Sequence, residues 1–404
     1  MMKPSICSAF LILLTATASC HAQDAPSRVA RPFFDARSHQ TEYVGPKGPH
    51  LTAEQVSEVK IGYFGPSNPS DPSAKNMWRT AQQAVIEANA EGGFRGRPFR
   101  LIPAWSADPW GTGVKALTRL VYDERVWAVV GGVDGPSTHL AEQVVAKARL
   151  PLVSPVSTDK TVNLANVPWM FSLAPSDHLI ASILAPEIAR RTHQNRLLFL
   201  SSNDHDSRLL TRELRKALEA RQVTPRLQIE FTKRAPDLGP LVEEGLAFHP
   251  EVVIIVADAV DSARVIRAIR SGGFNRAIFG GPCLGKETFL ALIGDGAGEV
   301  ILPVLCDRSP QQHSSEAKTT SGRPQLAPHN PDYSAALTYD AVQMVIQAIR
   351  QSGLHRAGIG EALRGLSPWP GIAGKVTWDG LGRNIRQPTL TTVAEIRAQL
   401  ARQD

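Results

Sequence analysis

Apolar positions along the chain fall into short solid runs separated by longer amphipathic stretches. "VKIGYFGP" (59–66) is a compact apolar run closed by a Gly-Pro turn and predicts a strand. "MWRTAQQAVIEANAEGG" follows, with Trp78, Ala81, Val85 and Ala88 at helical spacing and Gly92-Gly93 as its stop. "FRLIPAW" is the next strand, and "GVKALTRLVYDE" the next helix, with Val114, Leu117 and Val121 on one face. "VWAVVGG", a helix over 137–149 and "LPLVSP" continue the pattern. A second series opens at "NRLLFLSS" and passes through "RLQIEF", "EVVIIVAD" and "RAIFGGP" to "EVILPVLC", each strand separated from the next by a helix. A long helix, "YSAALTYDAVQMVIQAIRQSG", and a shorter one, "GIGEALRGL", come next. "GKVTWDGLGRNIRQPTLTTV" then reads as strands and a turn before a terminal helix.

Strictly alternating strands and helices with short connections predict parallel sheets covered by helices on both faces. A break near "PWMFSLAPSDHL" divides them into two similar α/β lobes. A single (β/α)8 barrel is the other architecture considered, but the pattern after Cys306 does not continue it.

The N-terminus departs from this pattern. "MMKPSICSAFLILLTATASCHAQ" has a cationic start at Lys3, an apolar run from Ile6 to Leu14 and then small residues, the form of a secretory signal peptide. Two endings compete: release after "CHA", or lipidation of Cys20 in a lipobox-like "TASC". Thr17 stands where such boxes carry Leu, which favours release. Residues 23–57 are polar and rich in Pro and Gly, as in a flexible extension, and residues 308–332 read as a mobile loop.

Composition alters little. The chain is 43% hydrophobic and 20% charged, an ordinary globular balance with material for two cores. Its formal charge of +6 loses only Lys3 with the leader. The surplus is scattered arginine without interleaved aromatics, so no nucleic-acid partner is indicated. Beyond the leader, Cys283 and Cys306 remain. In an exported protein they either pair, both lying at strand ends, or stay as two buried thiols.

Ligands of open parallel sheets bind beyond the carboxyl ends of the strands, near helix N-termini. "DGPST" (134–138) lies there, with Pro136 suited to the start of a helix. The first-turn N–H groups and the Ser137 and Thr138 hydroxyls can cradle an anion such as a carboxylate. The plainer alternative is helix capping by Asp134 or Ser137. "SPVSTD" places Ser154, Ser157, Thr158 and Asp159 at the adjacent strand end, where they complete such a site or merely close a turn. In the second series, Asp206 and Asp258 are candidate acceptors for an ammonium or a hydroxyl. Asp261 reads as a helix cap and His205 as a surface histidine. No His/Cys cluster has metal-ligand spacing, and no cofactor motif, phosphate loop or nucleophile elbow occurs.

The order of "VKIGYFGP", "AVIEANAEGGFRGRPFRLI", "VVGGVDGPSTHLAEQVVAKARLPLVSPVST", "RVIRAIRSGGF", "FGGP" and the long helix resembles type I periplasmic solute-binding proteins, specifically the leucine/isoleucine/valine- and amide-binding branch serving ABC importers. The resemblance runs over about 58–395 and implies two doubly wound parallel-sheet lobes joined by three crossover strands. Those crossovers fall near Phe171–Ser176, Leu302–Asp307 and Val376–Arg386. The implied organisation is a signal peptide (1–22), an extension (23–57), lobe 1 (58–173 and 305–378) and lobe 2 (174–304 and 379–404). It further implies ligand contacts by Ser137, Thr138, Ser157, Thr158 and Asp258, no enzymatic activity, a periplasmic location and an ABC permease as partner.

Two family positions differ. A Tyr-Gly pair falls at Asp206-Ser207, and an acid that holds an α-ammonium falls near Pro282 or Cys283, where none is present. Asp206 and Asp258 are the remaining candidates for that role, and the ligand class stays open among amino acids, amides and small carboxylates. Trp110 in "DPWG", together with Trp78, offers an aromatic wall at the cleft rim, or ordinary packing. A sensory receptor of the same fold and a secreted α/β hydrolase are the competing functions.

Overall fold

The computed structural model describes residues 51–68, 75–193, 196–306 and 332–401. The leader, Cys20, most of the 23–57 extension and the 308–331 part of the expected loop lie outside the described residues.

The first lobe is built on a five-stranded parallel sheet from β1 (Val59–Phe64), β2 (Phe99–Ala104), β3 (Val129–Gly131), β4 (Leu152–Ser154) and β5 (Met170–Ser172), in the order β2-β1-β3-β4-β5. Its intervening helices are α1 (Lys75–Ala90), α2 (Val114–Tyr122) and α3 (Gly135–Ala148). Solid apolar strands arise because both sheet faces are covered. Along β1, Val59, Ile61 and Tyr63 enter the core shared with α1, whereas Phe64 packs with Leu117, Leu120 and Leu140 of α2 and α3. The α1 stripe is Met77, Ala81, Ala84, Val85 and Ala88, with Trp78 half-buried against Tyr63. On α2 the buried face is Leu117, Leu120 and Val121; Val114, expected to be inside, sits exposed on the first turn.

The second lobe has a six-stranded sheet in the order β13-β10-β9-β8-β6-β7. It comprises α4 (Asp177–Arg191), β6 (Leu197–Ser202), α5 (His205–Glu219), β7 (Leu227–Phe231), α6 (Gly239–Ala247), β8 (Val252–Val256), α7 (Ala259–Ser271), β9 (Ile278–Gly280), α8 (Glu287–Ile293) and β10 (Val300–Val304). Alternation repeats here: Val252, Ile254 and Val256 of β8 face α4 and α5, and Val253 and Ile255 face the opposite layer. The chain then returns to the first lobe, where α9 (Tyr333–Ser352) packs on α1 and α10 (Arg356–Gly365) on α9. A hairpin of β11 (Trp369–Gly371) and β12 (Gly374–Val376) follows. The last strand, β13 (Thr389–Thr392), runs antiparallel to β10 and leads into α11 (Val393–Leu400).

Three connections therefore pass between the sheets: β5 to α4, β10 to α9, and β12 to β13. They are tied side by side. Ser172 N donates to Gly382 O and Asn384 N to Ser172 O, while the buried Asn384 side chain donates to Leu173 O. Arg386 of the third connection donates to Leu305 O of the second and to Ala373 O beside the hairpin. Adjacent connecting strands form a hinge by which two rigid lobes close on one another. Cys283 and Cys306 are not bridged to one another in the structure, Cys306 being buried and Cys283 half-buried. Among the described residues no helix is long and apolar enough to cross a membrane.

Candidate functional site

The loop from β3 into α3 begins at two glycines with positive φ, Gly131 and Gly132. A Cβ on Gly132 would lie 2.2 Å from Thr138 Oγ1 and 2.8 Å from the Thr138 backbone, so only glycine lets the strand end approach the helix so closely. Asp134 is the N-cap of α3: its Oδ1 accepts from Ser137 N at 2.8 Å, and Ser137 Oγ returns the contact by accepting from Asp134 N. Asp134 and Ser137 thus share the capping role that the sequence offered to either, and the helix begins at Gly135 rather than at the expected 137. Ser137 and Thr138 are fully buried, and Thr138 Oγ1 pairs with Ser154 Oγ at 3.2 Å, which joins "DGPST" to the neighbouring strand end.

A carboxyl group does stand before the first turn of α3, and it comes from the other lobe. Gly135 N donates to Asp206 Oδ1 at 3.0 Å and Oδ2 at 3.3 Å. Asp206 is held there by α5, whose N-cap Asp204 accepts from Ser207 N at 3.0 Å. Burial, and then the charge of Asp134, push the Asp206 carboxyl up to about 7. The helix N-terminus identified as an anion cradle is therefore facing a carboxylate across a closed cleft. Further bridges close the same seam: Lys160 to Glu213 at 2.6 Å, Asn76 to Glu287, and Asp159 to His205 at 3.0 Å.

Asp159, the last residue of "SPVSTD", is almost fully buried. Its Oδ1 accepts from Thr161 N and Oγ1 at 2.8 and 2.6 Å. Its Oδ2 lies 2.8 Å from His139 Nε2 and 3.0 Å from His205 Nε2. Burial raises the Asp159 carboxyl, but the contacts from His139, Thr161 and His205 outweigh it and hold it below the usual carboxylate range. His139 Nδ1 meets Glu142 Oε2 at 2.9 Å; hydrogen bonds from Asp159 and Glu142 push its imidazole up to about 10. His205, expected at the surface, faces this cluster although its side chain is 44% exposed. The ligand atoms of His139, Asp159 and His205 lie within 4.8 Å of one another, a grouping that no sequence spacing announced. A cavity of about 320 Å³ opens beside them, lined by Trp110, Pro136, His139, Glu142, Gln143 and His205. Trp110, 55% exposed, stands at the cavity rim, whereas Trp78 packs on Tyr63.

Other expected site residues have local partners. Thr158 is half-buried; its side chain hydrogen-bonds Asp177 and its carbonyl accepts from Asp177 N at 2.8 Å. Ser157 Oγ accepts from Asp159 N at 3.4 Å. Asp258 caps α7 by accepting from Val260 N and Asp261 N, and pairs with Arg234 at 2.9 Å. That engagement turns it toward its own lobe, as helix start and ion pair, rather than toward the Asp159 cluster. Asp261, expected as the cap, accepts instead from Arg234 N.

The sequence reading missed Lys286 and Tyr333. Lys286 follows the turn after β9, and Tyr333 opens α9 at the second connection. Lys286 Nζ stands 5.7 Å from the centre of the Tyr333 ring, a cation–π contact. Tyr333, Cys283, Asp332 and Asp206 together hold the ammonium above its ordinary range against burial. A basic residue shortly past "GGP" was the available signal.

Asp177, the first residue of α4, is wholly buried with Oδ1 lacking a hydrogen-bond partner, and burial raises its carboxyl well above the ordinary range. A raised carboxyl contributes stability below the unfolded-state pKa, lost as pH rises through the folded one. Asp177→Asn is therefore expected to gain unfolding temperature over the native chain, by an increment that grows from pH 5 to pH 8. An increment independent of pH would show that the group ionises normally.

A family model described as "Periplasmic binding protein" matches residues 58–398. The chain belongs to the periplasmic binding protein family. This is a family of substrate-binding proteins rather than enzymes, which sets aside the hydrolase alternative. An "Amino acid binding protein" of Pseudomonas aeruginosa is 26% identical over 224 residues, 55% of this chain and 60% of that relative's length. The fold is shared with the branched-chain amino acid transporter substrate-binding protein of Streptococcus pneumoniae in complex with isoleucine: TM-score 0.70, 18% identity, 83% of this chain and 96% of the other. It is also shared with a Rhodopseudomonas palustris ABC transporter solute-binding protein in complex with benzoate: TM-score 0.72, 12% identity, 83% and 93% covered. The two α/β lobes with their mainly parallel sheets are those of this periplasmic binding protein fold.

Proposed function

We propose that this periplasmic binding protein is exported by its leader, captures a small carboxylate-bearing metabolite between its lobes and delivers it to an ABC permease. The observation that carries the reading is the Gly135 N–H at the start of α3, donating to the Asp206 carboxylate across the cleft. A ligand carboxylate offers that donor the same chemistry, and its entry releases the Asp206 carboxyl from a position where burial disfavours its charge. Lys286, a cation on the loop after β9 three residues past Cys283, favours an anionic ligand over an ammonium-bearing one. The ligands of the two similar structures, isoleucine and benzoate, share only the carboxylate as a charged group. In this reading Ser137 and Thr138 shape the cradle, and Ser157, Thr158 and Asp206 flank it. Trp110 covers its rim, and Asp258 acts from farther back through α7.

A ligand that binds only the folded, closed protein raises its unfolding temperature in proportion to the logarithm of its concentration. Screened against benzoate, isoleucine, leucine, their amides and small aliphatic acids, the mature protein is expected to be stabilised by a carboxylate and unaffected by the matching amide. Equal stabilisation by the amide, or turnover of the bound compound, would sink the reading.

A further inference from the structure

We propose that His139 Nε2, Asp159 Oδ2 and His205 Nε2 form a binding site for a divalent transition-metal ion of the zinc class, made only when the lobes are closed. Zinc takes histidine nitrogen and carboxylate oxygen at about 2.0–2.1 Å, usually in tetrahedral geometry. That geometry separates ligand atoms by roughly 3.3 Å. The separations here are 2.8 Å and 3.0 Å from Asp159 Oδ2 to the two imidazoles. Drawing Asp159 Oδ2 back from each ring by a few tenths of an ångström makes room for the ion, with the two ring nitrogens already within 4.8 Å of one another. On binding, the ion replaces the protons now held between Asp159 and the rings, and those protons pass to solvent.

The surroundings are those of a built site. A metal-bound histidine is commonly oriented by a carboxylate on its second nitrogen. Glu142 Oε2 is 2.9 Å from His139 Nδ1 and fixes the tautomer that leaves Nε2 for the metal. Glu142 is in turn anchored by Asn163 N on its other oxygen. Thr161 occupies Asp159 Oδ1 through both its N–H and its hydroxyl, leaving Oδ2 as the ligand atom. Thr161 Oγ1 also lies 3.0 Å from His139 Nε2, a contact the ion must displace together with the two imidazole–Asp159 hydrogen bonds. The cavity beside His139 and His205 leaves the remaining coordination position to water or a small ligand. His139 and Asp159 belong to the first lobe and His205 opens α5 of the second, so an ion bound by all three clamps the cleft shut.

The test is titration of the tag-free mature protein, stripped with chelator, with zinc chloride alone. One ion per chain is expected, with an accompanying release of protons. His139→Asn and His205→Asn should each weaken it about tenfold or more, while Lys286→Met, which addresses the solute site, should leave it unchanged. Cobalt(II) reads the same site without substitution: absorption in the visible should far exceed that of the aquo ion. No zinc binding, binding unaltered by either histidine variant, or a cobalt spectrum equal to that of the free ion would overturn the assignment.

Discussion

Lys286→Met is expected to weaken carboxylate binding about 100-fold while leaving the free energy of unfolding within roughly 1 kcal/mol of the native protein. The methionine keeps the apolar stem beside Tyr333 and removes the ammonium. In the free protein that ammonium is offset by its contact with the Tyr333 ring and by the more distant Asp206 and Asp332 charges. Its loss therefore costs little fold stability. An anionic ligand entering the cleft loses most of its hydration, and a desolvated charge without a counter-charge is costly. Lys286→Arg retains the charge and should retain most of the affinity. Calorimetric titration with the strongest carboxylate from the screen measures both. An unchanged dissociation constant in Lys286→Met would show that the ligand lies elsewhere in the cleft, or that it is not an anion.

The second large effect concerns Gly132. Gly132→Ala should destabilise the protein by about 2–4 kcal/mol and weaken ligand binding in parallel. Its φ of +81° disfavours any side chain, and the new Cβ meets Thr138 Oγ1 at 2.2 Å and the Thr138 backbone at 2.8 Å. Relief requires the first turn of α3 to move outward, which displaces Gly135 N–H from the cleft. Adding Thr138→Ala should recover only part of the loss, since the clash with the backbone at 138 remains. Urea unfolding of the single and double variants separates the contributions. Full recovery in the double variant would assign the whole effect to the hydroxyl.

Much of the architecture was legible because buried parallel strands announce themselves. "EVVIIVAD" reads as a strand buried on both faces, and β8 is one. The α1 stripe and its glycine stop followed helical spacing. Val114 misled because it is the first residue of α2, where helical phase alone does not decide burial. The "DGPST" loop was placed correctly at a strand end, but the partner of its N–H groups was not foreseeable. Asp206 is 71 residues away and reaches Gly135 only because the lobes close.

The same holds for the histidine cluster. His139 and Asp159 are 20 residues apart and His205 is 46 beyond Asp159, spacings that carry no local metal signature. Their convergence depends on where β4 ends, where α5 begins, and on the hinge that lets those two ends meet. Lys286 and Tyr333 come together for a similar reason, across the second connection between the lobes. Sequence periodicity reports which face of an element is covered. It does not report which loops from different lobes share a cleft.

The most direct measurement is a crystal structure of the mature protein with the tightest-binding carboxylate of the screen. The carboxylate is expected within hydrogen-bond distance of Gly135 N, with Asp206 displaced from that donor and the lobes closed around the ligand. A carboxylate bound outside the interlobe cleft, or bound with the Asp206–Gly135 hydrogen bond intact, would contradict capture at the α3 cradle.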